Sequence, residues 1–251
     1  MSGESANASV IVTGAAGGIG IAVARRLAAD GYAVVAVDVE QERLENLVAH
    51  LPGQGHVAAA ADLTDVREHS KLVARAVAGG MRLHGLANLA AVLRRRASID
   101  DITEADWDAQ MDVNLKAAFF FNRAVAQALI SQGSGGSIVN FTSQAWWTGG
   151  FGGAVVYAAS KGGLVSMSRN LARSLAHERI RVNTVAPGFV ETDMMLDGLS
   201  DEQVRAFNQM VPLQRMADAS ELAGTVSFLL GADSSYITGA TINVTGGQLM
   251  Y

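Results

Sequence analysis

The 251-residue chain has no cysteine, three prolines, five histidines and only three lysines, Lys71, Lys116 and Lys161. The lack of cysteine excludes disulfides, a thiolate nucleophile and sulfur-ligated metal. The histidines, at positions 50, 56, 69, 84 and 177, show no ligand spacing, so no metal is expected. No apolar run approaches the roughly 18 residues of a membrane span, and the polar start has neither the basic nor the apolar part of a signal peptide. The expectation is a soluble, cytoplasmic protein without membrane contact, in which residues 1–8 form a flexible tail. Nineteen basic against 24 acidic residues leave a net charge of −5, which argues against a nucleic-acid partner. Without secretion, the Asn-x-Ser/Thr triplets at Asn7, Asn140 and Asn243 are chance matches.

What is present points to a large core: 49% hydrophobic residues, 17% charged and 27 glycines. No linker, composition break or repeat divides the chain, so residues 9–251 are expected to form one domain. Short apolar runs at 9–13, 33–37, 56–60, 85–90, 136–142, 181–185 and 240–244 read as seven strands. Between them lie helical patterns at about 19–29, 41–50, 66–78, 103–130, 154–177 and 218–230. Strands that are apolar throughout, and that alternate with helices, predict a parallel sheet covered on both faces. The fold class is therefore α/β, a doubly wound Rossmann-type domain with a parallel seven-stranded sheet. The least regular stretch, 188–212, is a candidate substrate lid, with a plain surface excursion as the alternative.

Thr13-Gly-Ala-Ala-Gly-Gly-Ile-Gly20 joins the first strand to the first helix, where a helix amino terminus can meet a pyrophosphate. Gly14 allows the turn, Gly17 and Gly18 with Ile19 let phosphate approach the backbone, and Gly20 permits close helix packing. Asp38 ends the second strand 18 residues after Gly20, placed to accept hydrogen bonds from the adenosine ribose. It would repel the 2′-phosphate of NADP, and Gly17 offers no basic side chain to meet one. NAD is the expected cofactor.

Tyr157 and Lys161 stand four residues apart on one predicted helix face, so phenol and ammonium can address one ligand. Making a phenol a base near pH 7 requires about 4 kcal/mol of preferential phenolate stabilisation, which a nearby ammonium and an oxidised nicotinamide could supply. Ser143 lies just past the fifth strand, and without the flanking glycines of a nucleophile elbow it reads as a hydrogen-bond donor rather than a nucleophile.

With these motifs the chain resembles the short-chain dehydrogenase/reductase superfamily from Val10 to Gly247. The matching residues are Thr13-Gly14, Gly18-Ile19-Gly20, Asp38, Asp62-Leu63, Asn88 to Ala91, Asn114, Ser143, Tyr157 with Lys161, and Pro187-Gly188 with Thr192. The resemblance implies that Tyr157 is the general acid/base and that Lys161 holds the nicotinamide ribose and lowers the phenol pKa. It implies that Ser143 orients the reacting oxygen and that Asn114 fixes a relay behind Lys161. Asp62, with Leu63, would meet the adenine, and Asn88 and Ala90 would line the strand edge beneath the cofactor. Pro187, Gly188, Val190 and Thr192 would contact the nicotinamide side. The chain departs from the family pattern at Ala91, where glycine is usual, and in a serine-to-tyrosine interval one residue longer than the commonest.

That longer loop carries Trp146, Trp147 and Phe151, which either line an apolar substrate pocket with Met194 and Met195 or pack onto their own domain or a neighbouring subunit. Arg94-Arg95-Arg96 reads as a solvated loop, with contact to an anionic substrate as the alternative. The expected activity is NAD-dependent interconversion of a secondary alcohol and a ketone. Alternatives are a 3-oxoacyl thioester reductase, a sugar-acid or polyol dehydrogenase, and a nucleotide sensor without turnover. Family resemblance also implies a homotetramer or dimer built on the helices at 103–130 and 154–177 and on the carboxyl-terminal strand.

Overall fold

The computed structural model describes residues 7–150, 152–196 and 199–250. Seven strands form one sheet: β1 Ala8–Thr13, β2 Ala33–Asp38, β3 Val57–Ala60, β4 Arg82–Asn88, β5 Gly136–Phe141, β6 Ile180–Pro187 and β7 Thr241–Val244. Their order is β3-β2-β1-β4-β5-β6-β7, and every pairing is parallel. The doubly wound Rossmann-type expectation is met. β1 takes in Ala8, fully buried, so the sheet starts one residue inside the expected tail; residues 1–6 lie outside the described residues.

The continuous apolar character of the strands follows from the two cores. Val10, Val12, Val34 and Ala36 face one core, with Leu222 and Val226 from the far helix. Ile11, Val35 and Val37, pointing the opposite way, enter a second with Phe121, Leu129 and Ile138. The helices are α1 Gly18–Ala29, α2 Gln41–Ala49, α3 His69–Ala76, α4 Glu104–Met111, α5 Ala118–Gln132, α6 Ala145–Thr148, α7 Val155–Leu175, α8 Asp193–Leu196, α9 Asp201–Gln209 and α10 Ala219–Leu230.

Two regions differ from the sequence expectation. The helix expected over 103–130 is interrupted by a π-helical turn, Asp112–Ala117, between α4 and α5. The irregular stretch at 188–212 contains α8 and α9 and has an apolar core of its own, with Phe189, Val211 and Met216 buried against Met195, Val204 and Phe207.

A buried polar ladder runs beneath the carboxyl edge of the sheet. The Thr13 hydroxyl donates to Asn88 Oδ1 (2.8 Å), and Asn88 Nδ2 donates to Asn140 Oδ1 (3.0 Å). Asn140 exchanges amide bonds with Asn122 of α5 (3.0 Å each way) and donates to Ser168 Oγ of α7 (3.0 Å). Asn140, dismissed from sequence as a chance triplet, thus joins β4, β5, α5 and α7. Asn140→Leu keeps the volume but strands the Asn88 and Asn122 amides, and should cost about 3 kcal/mol in denaturant unfolding. A loss below about 1 kcal/mol would contradict that role.

Candidate active site

The chain turns back across the sheet between β1 and β4, and a cavity of about 650 Å³ opens at the carboxyl ends of these strands and of β5 and β6. Gly14, in the left-handed region at φ +63°, lies so close to β4 that a Cβ would stand 2.9 Å from the Ala90 nitrogen. Gly17 sits at the start of α1 without a side-chain cap, so the free N–H groups of the first turn face the cavity region. Asp38 braces this loop, accepting from Ala16 N (3.0 Å) through Oδ2 and from Val39 N (2.7 Å) through Oδ1. Its carboxylate is therefore fixed on the cavity wall beside the glycines. That bracing was not read from the sequence.

At the other end stand Ser143, Tyr157 and Lys161, all on the cavity wall. Lys161 is 2% exposed, and its Nζ donates to the Phe141 carbonyl at the end of β5 (2.7 Å). The Thr142 hydroxyl donates to the Lys161 carbonyl (3.0 Å), so α7 is tied to β5 through both ends of one residue. The ammonium lies 5.5 Å from the centroid of the Tyr157 ring. Burial pushes the phenol up to about 12, against the pull of a hydrogen bond with Ser143 and of the Arg95 charge. Bringing it to about 7 requires about 7 kcal/mol of phenolate stabilisation, more than the sequence expectation, because desolvation adds to the demand. Behind them, Asn114 in the π-helical turn accepts from Val92 N (2.8 Å) and donates to Val92 O (2.9 Å) and Ser160 Oγ (3.1 Å). A π turn at a functional position lets one helix present this amide off the regular register.

Pro187, Gly188, Val190, Thr192 and Met195 also line the cavity, together with Ile19 and Gly18. Thr192 stands over the glycine loop, since a Cβ on Gly18 would lie 2.9 Å from its Cγ2. Asn88 and Ala90 lie behind the wall, Asn88 in the polar ladder and Ala90 donating its N–H to Thr13 Oγ1 (3.1 Å). Asp62 follows β3, where Ala61 N donates to Asp38 O (2.8 Å); it accepts from Thr64 and, like buried Leu63, is outside the cavity wall. The expected aromatic pocket differs. Trp146 and Trp147 form α6, whose turn sets Trp146 toward α7, with the Arg169 guanidinium 5.5 Å from its ring centroid. Trp147 is 59% exposed, and neither ring is part of the wall. Phe151 lies outside the described residues, as does the side chain of Met194. Gln144, Phe189 and Phe207 are wall residues that the sequence reading did not name; Arg95, whose run had substrate contact as its alternative, is on the wall too.

The residues present fit a dinucleotide: free helix N–H groups and glycines without Cβ atoms for phosphates, an acceptor fixed beyond them, and buried hydrogen-bonding groups at the far end. The buried lysine also predicts a stability effect. Burial lowers its pKa from 10.5 to about 7, so between those values the unfolded chain holds more protons and stability rises with pH. At pH 7 the penalty is about 5 kcal/mol, offset in part by the bond to Phe141 O. Lys161→Met should therefore stabilise the ligand-free protein by about 2 kcal/mol at pH 7 and lose that gain by pH 10. Equal destabilisation at both pH values in thermal unfolding would contradict the reading.

The model of the family described as enoyl-(acyl carrier protein) reductase matches residues 14–248. A human (3R)-3-hydroxyacyl-CoA dehydrogenase is 36% identical over 253 residues, covering 97% of this chain and 96% of the relative. Dehydrogenase/reductase SDR family member 4 from Oryctolagus cuniculus is 38% identical, covering 96% of this chain and 94% of the relative. A crystal structure from Sinorhizobium meliloti 1021, described as a short-chain alcohol dehydrogenase, superposes with a TM-score of 0.88 at 34% identity, covering 96% of each chain. Sequence, sheet order and these likenesses agree: the chain belongs to the short-chain dehydrogenase/reductase superfamily of oxidoreductases, whose members use a nicotinamide dinucleotide.

Proposed function

We propose that the protein is an NAD-dependent dehydrogenase/reductase that interconverts a secondary alcohol and a ketone, with Tyr157 as general acid/base. The observation that carries this is the group of half-buried Ser143 and Tyr157 with buried Lys161 at one end of a cavity whose other end is lined by Asp38 and the glycine loop. Bound nicotinamide would supply the exchange of hydride with the substrate carbon. Tyr157 gives its phenolic proton to the developing alkoxide in reduction and takes the alcohol proton in oxidation. Ser143, on the same wall as the phenol, would hold the same oxygen. Lys161, shielded by Phe141 and α7, is placed to bind ribose hydroxyls, while Asn114 keeps the backbone at Val92 in position behind it.

Asp38 supports NAD over NADP. Its carboxylate is held by two backbone N–H groups and cannot swing aside cheaply, and at about 4 Å a like charge costs about 4 kcal/mol at an effective dielectric of about 20, before screening. Arg43, on the same wall, lies 3.5 Å from Glu40. The segment 188–212, with its own small core, would act as the lid over the substrate end. For assembly we favour a homotetramer or dimer through the α4–α5 and α7 region. Met111, Leu115, Phe119 and Met167 line a shallow apolar hollow there, and Phe119 is 39% exposed. The name of the human relative favours a second reading, a 3-hydroxyacyl thioester as substrate.

Steady-state kinetics on a panel of secondary alcohols, with both cofactors, tests the proposal. Tyr157→Phe should lower kcat/KM by about 10²- to 10⁴-fold while the dissociation constant for NAD stays within about threefold. NAD should be preferred, and Asp38→Asn should narrow that preference at least about tenfold. Unchanged turnover in Tyr157→Phe would remove the phenol from the mechanism, and a lower KM for NADP would overturn the cofactor assignment.

A further inference from the structure

Arg94, Arg95 and Arg96 follow β4 along the rim of the cavity, and their surroundings separate three identical side chains. Arg96 grips Asp106 with two bonds, Nε to Oδ2 (2.9 Å) and Nη2 to Oδ1 (2.5 Å), and Arg94 Nη1 lies 3.4 Å from the same carboxylate. Asp106 is 2% exposed, so one buried carboxylate is matched by two guanidiniums. Arg95 forms no ion pair among the described residues, its guanidinium reaching only Met195 Sδ at 4.0 Å, and it lines the cavity.

The backbone keeps it there. Val92 N is held by Asn114, Arg94 N by Gln110 Oε1 (3.1 Å) and Arg96 N by Gly153 O (3.4 Å). Gly153 sits at φ +74°, and any Cβ there would overlap the Arg96 carbonyl. The glycine-rich loop and α4 thus clamp the chain on both sides of Arg95.

A second observation comes from across the cavity. Gln144, next to Ser143, is 4% exposed and on the wall, its N–H donated to Pro187 O (2.9 Å). Its side-chain Oε1 is buried with no hydrogen-bond partner among the described residues. A buried acceptor with unmet capacity beside the reacting group calls for a hydrogen-bond donor on the ligand, such as a hydroxyl. Arg95 reaches Met195 on the wall it shares with Tyr157, and its charge favours the phenolate there. Asp193 is on the same wall and exposed, but forms no ion pair with Arg95 among the described residues.

We propose that Arg95 anchors a carboxylate of the substrate, and that the alcohol and ketone exchanged here are a short hydroxy acid and its oxo acid. This rests on the dehydrogenase reading above and names its substrate class. The carboxylate keeps its bonds throughout: the carbinol carbon gives up hydride to NAD, its hydroxyl gives up the proton to Tyr157, and the reverse holds in reduction. A coenzyme A thioester fits this anchor poorly, because its phosphates lie a full pantetheine arm from the reacting carbon and its acyl group is neutral.

The test compares 2-hydroxybutanoate, 3-hydroxybutanoate and 4-hydroxypentanoate, both enantiomers of each, with their methyl esters and with 3-hydroxybutanoyl-coenzyme A, using wild type, Arg95→Gln and Arg95→Lys. For at least one acid, wild type should favour the acid over its ester by about tenfold or more. Arg95→Gln should reduce that ratio by about 10- to 100-fold, mainly through KM, and Arg95→Lys should retain part of it. Calorimetric binding of the same acids to the protein–NADH complex needs no turnover. Binding that depends on Arg95 without turnover would keep the anchor and reject the dehydrogenase reading. Esters or the thioester preferred by wild type, an equal loss for acid and ester in Arg95→Gln, or acid binding unaffected by the substitution would overturn the proposal.

Discussion

A lysine ammonium held 2.7 Å from the last carbonyl of β5 is the interaction on which the site depends. It is costly, because the charge is removed from water, and it is possible only because sheet and helix are locked around it. Thr142 ties β5 to the Lys161 carbonyl, Asn140 one strand position deeper joins β5 to α5 and α7, and Tyr157 follows as the residue one helical turn earlier. The same burial that depresses the lysine raises the phenol, so in the ligand-free protein both groups are shifted toward their neutral forms. Two opposed shifts of this kind in one cleft mark a candidate catalytic pair more sharply than either residue alone.

The remaining parts of the cavity follow from short-range constraints on the backbone. Asp38 fixes the glycine loop by accepting from Ala16, Thr13 fixes the turn after β4 by accepting from Leu89 and Ala90, and Asn114 holds the residues beyond it. The backbone around the cavity is thus held by side chains that bond to its N–H groups. The π-helical turn at Asp112–Ala117 belongs to this arrangement, since it brings Asn114 to Val92 and Ser160 together.

Much of this was legible in the residues. Strands with both faces buried leave unbroken apolar runs, a glycine cluster between strand and helix has one main use, and a tyrosine and lysine four apart share a face. Other features depend on partners distant in sequence. Nothing local distinguishes Arg95 from its neighbours; the distinction is Asp106, which claims Arg94 and Arg96. Asn140 was read only as a chance glycosylation match, and its role shows only where Asn88, Asn122 and Ser168 converge on it. Trp146 and Trp147 suggested a pocket by composition, but the four-residue helix α6 directs Trp146 to Arg169 instead. The helices in 188–212 escaped notice because they are short and pack on a small separate core rather than on the sheet.

The central claim is that burial keeps the Tyr157 phenol protonated until ligand charge arrives. Ultraviolet difference titration of wild type against Tyr157→Phe isolates this one of four tyrosines. The account predicts a phenol that titrates well above 10 in the free protein and moves several units toward neutrality with bound NAD. A phenol that titrates at its ordinary value in the free protein, or that does not move when NAD binds, would contradict it.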